Sequence, residues 1–215
     1  MRLNYVIWAS QKLPNACVLE KLEGVEKKWE LNEGVSRAAS FPTDAFFHMH
    51  RDRPYDTLLT DNLKNINMLI VGSGRLKEFL EKRRVEKVEY LPVTILDHKD
   101  KPIRSNYFII HPIDPVACLD IDRCGATWDE LDEDDIESVQ RIVIDASMID
   151  EERQVIKIER KLFRPRHFYR ITLIRRDLAE AIDAEGFTGI RWVEMDDYPR
   201  PGSGDYTGEE SIHET

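Results

Sequence analysis

Cysteine is scarce in this sequence: Cys17, Cys118 and Cys124 are the only three in 215 residues, and they form no CxxC pair. An odd count without pairing spacing excludes a disulfide framework and points to a reducing compartment. Long apolar runs are also missing. The apolar core of the N-terminus, Tyr5 to Ala9, spans five residues, too short for the core of a secretion signal. No stretch approaches the roughly 20 apolar residues of a membrane span. The cytoplasm is therefore the expected location, with no membrane partner. Positive charge is in deficit: 31 Lys and Arg stand against 41 Asp and Glu, for a formal net charge of -10. Such a chain repels phosphate backbones, so nucleic acid is excluded as the expected partner; solubility, or a basic protein partner, fits better. No internal repeat is visible.

What the sequence does have is apolar material, 41% of its residues, enough for a folded core in one domain or in two lobes sharing it. LNYVIWA, residues 3–9, mixes β-branched and aromatic side chains and predicts a first strand. Residues 16–34 read as an irregular helix or a charged strand pair, and AFFHMH, residues 45–50, as a short strand. An apolar run, Met68 to Val71, leads into a helix with Ser73 as N-cap and a stripe of Leu76, Phe79 and Leu80. VEYLPVTILD and SNYFIIHP predict a hairpin across the turn-rich HKDKPIR. VACLDI, RIVID, VIKIERKLF and HFYRITLI are further strand candidates. The best-marked helix is RRDLAEAIDAEGFTG, with Asp177 and Glu180 at capping-box spacing, Leu178, Ala181 and Ile182 on the apolar face, and Gly186 as a left-handed stop. IRWVEM closes the series as a strand. Strands outnumber helices and their connections are short. The expected fold is α+β, a mainly antiparallel sheet with a few packed helices. Residues 1–65 read as an N-terminal lobe that can belong to the same domain as 66–197. Residues 198–215, rich in Pro, Gly and acid, read as a flexible tail.

Several stretches invite a chemical reading. In VGSGRLKEFLEK, Gly72 and Gly74 match the first two glycines of GxGxxG, but position 77 is Lys. The GxxxxGK[ST] spacing of a phosphate loop is not met either, so an ordinary strand-to-helix turn is the expectation. His48 and His50 fall on one side of a strand, with Asp52 continuing the alternation, but no second ligand cluster follows. Cys118, Asp120, Asp122 and Cys124 would share a strand face, yet their spacing is no zinc pattern, and small buried thiols are the plainer reading. No serine elbow or triad pattern occurs. No catalytic, metal-binding or cofactor-binding residue is assigned on this basis, and no cofactor is expected.

Two charged patches remain. From Asp129 to Glu137 seven of nine residues are acidic, and their mutual repulsion keeps such a run in solvent. It reads as a solvated loop or as a docking surface for a basic protein, steered by charge. FRPRHFYR places Arg164, Arg166, Arg170 and His167 among aromatics. This mixture can bind RNA, but in an acidic chain intramolecular pairing with acidic neighbours or an edge-strand role is preferred.

Four pieces occur in order: VGSGRLKEFLE, VEYLPVTILDHKDKPIRSNYFIIHPIDPVACLDID, KLFRPRHFYRITLIRRDLAEAI and EGFTGIRWVEM. Together they resemble immunity family eleven of bacterial polymorphic-toxin systems, whose typical member is a myxobacterial immunity protein. The resemblance spans roughly residues 66–195. It rests on Leu91 to Val93, Asp120, Phe163 with Arg164, and Phe187 to Ile190. The acidic insertion after Asp122 departs from the pattern. The resemblance implies a non-enzymatic protein that binds a cognate toxin domain and neutralises it by noncovalent occlusion. If the contact is electrostatic, Asp129, Glu130, Asp132, Glu133, Asp134 and Asp135 are the expected partner-binding residues, facing a basic toxin surface. The alternatives are a nucleotide- or metal-dependent enzyme using the Gly72 to Lys77 turn or His48 and His50, and a regulatory protein-interaction module.

Overall fold

A computed structural model describes residues 5–156 and 158–198. The described strands are β1 (Tyr5–Ser10), β2 (Val18–Leu19), β3 (Phe46–His48), β4 (Asn62–Asn65), β5 (Ile70–Ser73), β6 (Val88–Leu96), β7 (Tyr107–Pro112), β8 (Thr127–Trp128), β9 (Ile136–Ser138), β10 (Leu162–Phe163), β11 (Leu173–Arg175) and β12 (Ile190–Val193). The helices are α1 (Gly74–Lys82), α2 (Ile121–Cys124), α3 (Ala146–Ile156) and α4 (Arg176–Ala184). Six strands form one sheet in the order β2-β4-β5-β7-β6-β3, four form a second in the order β10-β11-β1-β12, and β8 pairs with β9 alone. All pairings are antiparallel except β2 with β4 and β3 with β6. The class is α+β, as the sequence leads one to expect.

Successive side chains of a strand point to opposite faces, and that alternation builds the layers. In β1, Val6 and Trp8 enter one apolar cluster while Ile7 enters another. In β5 and β7, Val71 and Ile109 point into a cluster on one side of the six-stranded sheet, and Ile70 and Ile110 into the cluster shared with Val6 and Trp8. That shared cluster also takes Leu76 and Leu80 of α1 and Leu178, Ala179 and Ile182 of α4. The two larger sheets are therefore joined through one core capped by two helices. Strand β6 shows the same logic: Leu91, Val93 and Ile95 are buried while Pro92 and Thr94 between them face out.

Helix α1 begins as expected, with the Ser73 hydroxyl accepting from the Leu76 amide. Helix α4 differs. Its N-cap is Arg175, which makes no side-chain cap, while Asp177 lies inside the first turn and accepts from the Leu178 amide. Its buried face is Leu178, Ala179 and Ile182, packed in the cluster with Val6 and Ile174, while Ala181 is only partly buried. Gly186 does take the left-handed conformation that stops the helix. The hairpin of β6 and β7 forms, and Asp97 orders its turn by accepting from the amides of Lys99 and Lys101.

Four strand candidates are shorter than expected or are replaced, and of these HFYRITLI gives only Leu173 and Ile174 to β11. In VACLDI, the Asp120 carboxylate accepts from the Arg123 amide and starts α2, a preference for helix starts that outweighs the β-branched run. RIVID makes only an isolated bridge, Ile144 with Leu119. VIKIERKLF contributes its first two residues to α3 and only Leu162 and Phe163 to a strand.

The described part of residues 1–65 supplies strands to both larger sheets, β1 to one and β2, β3 and β4 to the other. Of the expected flexible tail, residues 199–215 lie outside the described residues. Among those described, no helix is long and apolar enough to cross a membrane.

Candidate functional site

The glycine-flanked turn before α1 is occupied by the fold. The Ser73 amide donates to the Asp61 carbonyl at 2.8 Å, the Gly74 amide to the Asn106 carbonyl at 3.0 Å, and the Leu76 amide to the Ser73 hydroxyl at 3.2 Å. Those donors are not turned toward a ligand. Gly72 leaves room for the neighbouring strand: a Cβ there would lie 2.3 Å from Cδ1 of Ile110, whose side-chain end would have to shift. The turn therefore has a structural explanation in the meeting of β5, β7 and α1.

His48 is buried at the end of β3, its Nδ1 3.2 Å from the Asp100 carboxylate. His50 lies past the strand end, and Asp52 is in the exposed turn that follows. Among the described residues, no group of three or more His, Cys, Asp or Glu side chains is placed to hold a metal. The Cys118 to Cys124 stretch does not share a strand face, since Asp120 caps α2 and Asp122 points outward. Cys118 and Cys124 are buried in the same apolar cluster, and the Cys124 sulfur accepts from the Val143 amide at 3.3 Å. Burial pushes the Cys124 thiol up from its ordinary range, which suits a packed thiol and not a reactive one.

The basic patch is divided. Arg164 is buried, and its guanidinium donates to the carbonyls of Tyr169 and Met68, pinning the turn before β5 to the segment after β10. Burial lowers its pKa to about 10, so it remains a cation at neutral pH. Its pairing is intramolecular, but with carbonyl oxygens instead of the acidic neighbours expected from sequence. Arg166 and Arg170 are exposed.

The acidic run forms the connection between β8 and β9. Its backbone is ordered by its own side chains. The Asp129 carboxylate accepts from the amides of Leu131 and Asp132, Asp132 accepts from the Asp134 amide, and the Asp129 amide donates to the Asp135 carbonyl. This is the use of Asp in turns that its short acceptor side chain favours. The loop is tied to the body through His167, whose Nδ1 lies 2.8 Å from the Asp134 carbonyl and whose ring meets Trp128 edge-on at 5.6 Å. Ile136 is fully buried and anchors the far strand.

The result is a held turn that projects charge. Glu130, Asp132, Glu133 and Asp134 are exposed, and Asp129 and Asp135 are half-buried. Burial raises the pKa of Asp135, while Arg170 opposes that shift. Glu33, from the first sixty residues, joins the same negative field: burial raises its pKa, and Asp132 and Asp135 add to the rise. In the middle of these carboxylates stands Leu131, 99% exposed, with Trp128 also well exposed at the base. Charge counting alone passes over Leu131 and Glu33. The signal for Leu131 is a single large apolar side chain inside an otherwise acidic run. For Glu33 there is no local signal, since it reaches the loop only through the fold.

Comparison with curated proteins gives no match. The sequence profile of an immunity protein family, by contrast, matches residues 7–197, nearly the whole chain and both larger sheets. That span includes the acidic turn and the N-terminal strands as well as the four pieces from which the resemblance is read. The chain belongs to the immunity protein family (Imm11).

Proposed function

We propose that this protein binds a cognate toxin domain in the cytoplasm of its producer and neutralises it by noncovalent occlusion, with the β8–β9 turn as the docking surface. The family membership supplies the toxin as partner class. The observation that carries the choice of surface is the Leu131 side chain, 99% exposed at the centre of an ordered acidic turn. A rigid turn loses little conformational entropy on binding. An apolar anchor ringed by charge suits a socket with a basic rim, where the charges steer the approach and the anchor contributes to the residence time.

The test is co-expression with the toxin candidate encoded beside it, scoring growth and co-purification. Rescue with a stoichiometric complex supports the reading; a harmless neighbour or no association removes it. The surface is tested separately by replacing Asp129, Glu130, Asp132, Glu133, Asp134 and Asp135 together with Asn or Gln. Asn keeps the acceptor oxygens that order the turn, so the fold should stand while affinity falls and its salt dependence flattens. Unchanged affinity and salt slope would remove these residues from the interface.

A further inference from the structure

Residues 28–38 form a strap bound to the β6–β7 hairpin. It begins as a short 3-10 turn, Lys28–Leu31, in which Leu31 is fully buried while Trp29 is 59% exposed. Its chain is tied down along its length. The Gly34 carbonyl accepts from the Asp114 amide at 3.0 Å, and the Val35 carbonyl accepts from His111 Nε2 at 2.8 Å. The Glu89 carboxylate accepts from the amides of Arg37 and Ala38 at 2.8 and 3.0 Å and from the Ser36 hydroxyl. The strap therefore presents Trp29 from a fixed backbone.

The turn between β4 and β5 lies beside it. The Lys28 ammonium donates to the Leu22 carbonyl, and the Leu22 amide donates to Asn67 Oδ1 at 2.7 Å, so both loops hold the same residue. Ile66 and Met68, on either side of Asn67, are 61% and 51% exposed. The Met68 carbonyl is held by the Arg164 guanidinium, which also holds the Tyr169 carbonyl. Tyr169 leads on to the acidic turn: burial chiefly raises the pKa of its hydroxyl, and Glu33 of the strap joins Asp135 and Asp134 in adding to the rise. Strap, β4–β5 turn and acidic turn are thus neighbours. Among the described residues nine large apolar side chains are exposed, and six of them, Trp29, Val35, Ile66, Met68, Trp128 and Leu131, lie on these segments or at their base. Exposed apolar residues scattered singly need no explanation, but a concentration rimmed by charge marks an interaction surface.

We propose that Trp29, Ile66 and Met68 form a second, apolar contact of the toxin-docking face, which receives an apolar ridge of the toxin domain flanked by Lys or Arg. This rests on the toxin-binding reading and adds to it a contact outside the acidic turn. Charge decides between a basic partner and a second copy of this chain. A twofold pairing sets the same patch against itself, which would bring Glu33 and the acidic turn of one copy toward those of the other, and like charges so juxtaposed are costly. A partner with cations beside its apolar ridge meets both features at once. The two contacts then divide the work: the carboxylates speed the encounter, and the apolar contact slows dissociation.

The experiment measures association and dissociation rates of the full chain with the toxin domain encoded beside it, at low and high salt. The variant combines Trp29→Ser, Ile66→Ser and Met68→Asn. All three positions are exposed, none changes charge, and Asn suits the φ of 55° at position 68, so Tm should stay at the wild-type value. The expected result is dissociation at least about tenfold faster at both salt concentrations, with the association rate and its salt dependence unchanged. Wild-type dissociation in the variant overturns the proposal and leaves the toxin reading standing. No binding by the wild-type chain overturns both. Light scattering covers the other occupant: a wild-type dimer that the triple variant converts to a monomer overturns the proposal in favour of a second copy.

Discussion

Replacing Gly189 with alanine tests how the two sheets meet. Gly189 precedes β12 with φ of 79°, a conformation that costs an L-residue about 1–2 kcal/mol. A Cβ built there would lie 2.3 Å from the Asn62 carbonyl oxygen and 2.6 Å from the Thr60 hydroxyl, where ordinary contact begins at 3.4 Å. The nearest atom is backbone of β4, held in its sheet, so it cannot rotate aside as a side-chain end would. Forced overpacking of this kind costs about 1–3 kcal/mol. Parting the strands also strains the bonds from Asn62 Nδ2 to the Gly189 carbonyl and from the Asn62 amide to the Thr188 carbonyl. The expected loss is about 3–5 kcal/mol, and Tm should fall by about 6–20 °C. Gly186→Ala is the matched control. Its φ is 68°, but a Cβ there meets nothing within 4 Å, so only the backbone cost of about 1–2 kcal/mol applies. Urea titration of the two variants side by side isolates the contact. If they differ by less than about 1 kcal/mol, the reasoning about the close approach is wrong.

Three further outcomes are expected. Leu131→Ala should leave stability within about 0.5 kcal/mol, yet weaken toxin binding by about 1 kcal/mol or more, measured by calorimetric titration; equal affinity would deny it an anchoring role. Cys17, Cys118 and Cys124 are at most 1% exposed, and burial pushes the Cys17 thiol up to about 12, so a thiol reagent at pH 8 should find none of the three in the folded chain and all of them in urea; rapid native labelling would contradict the packing. Burial holds His111 below its ordinary pKa of 6.5, so as pH falls through that value the unfolded chain takes up a proton that the folded chain does not. Stability should then drop by up to about 1.4 kcal/mol per pH unit from this residue, and His111→Gln should flatten that slope in urea titrations at pH 5 to 7, whereas an unchanged slope would refute the assignment.

Features governed by near neighbours in sequence were legible. The Ser73 cap, the β6–β7 hairpin and the Gly186 stop depend on residues a few positions apart, so propensity and turn chemistry suffice. VACLDI shows the limit of such reading: two β-branched residues and a leucine suggest a strand, but one carboxylate at Asp120 satisfies a helix-start amide and decides the outcome. The pairing of β1 with β11 and β12 brings residues 5–10 to residues 173–193. Nothing in either segment announces the other, because the pairing follows from burying Val6 and Trp8 against α4 and Ile190.

The acidic turn was legible as charge but not as shape, and the difference bears on what it can do. A disordered acidic run would have to become ordered on binding, at a cost in affinity for each residue fixed. Here Asp129 and Asp132 direct their carboxylates to the turn's own amides, and Asp134 gives its carbonyl to His167. Asp129 and Asp132 therefore act as acceptors within the turn, while Glu130 and Glu133 have no such task among the described hydrogen bonds and project outward with Leu131. Neutralising Glu130 and Glu133 alone should consequently lower the association rate with a basic partner while leaving the turn in place. Replacing Asp129 and Asp132 with alanine should instead loosen the turn, and binding should weaken even at high salt, where charge steering is suppressed. If both pairs change binding only through the salt-dependent rate, the carboxylates act as charge alone and the ordered turn contributes nothing to recognition.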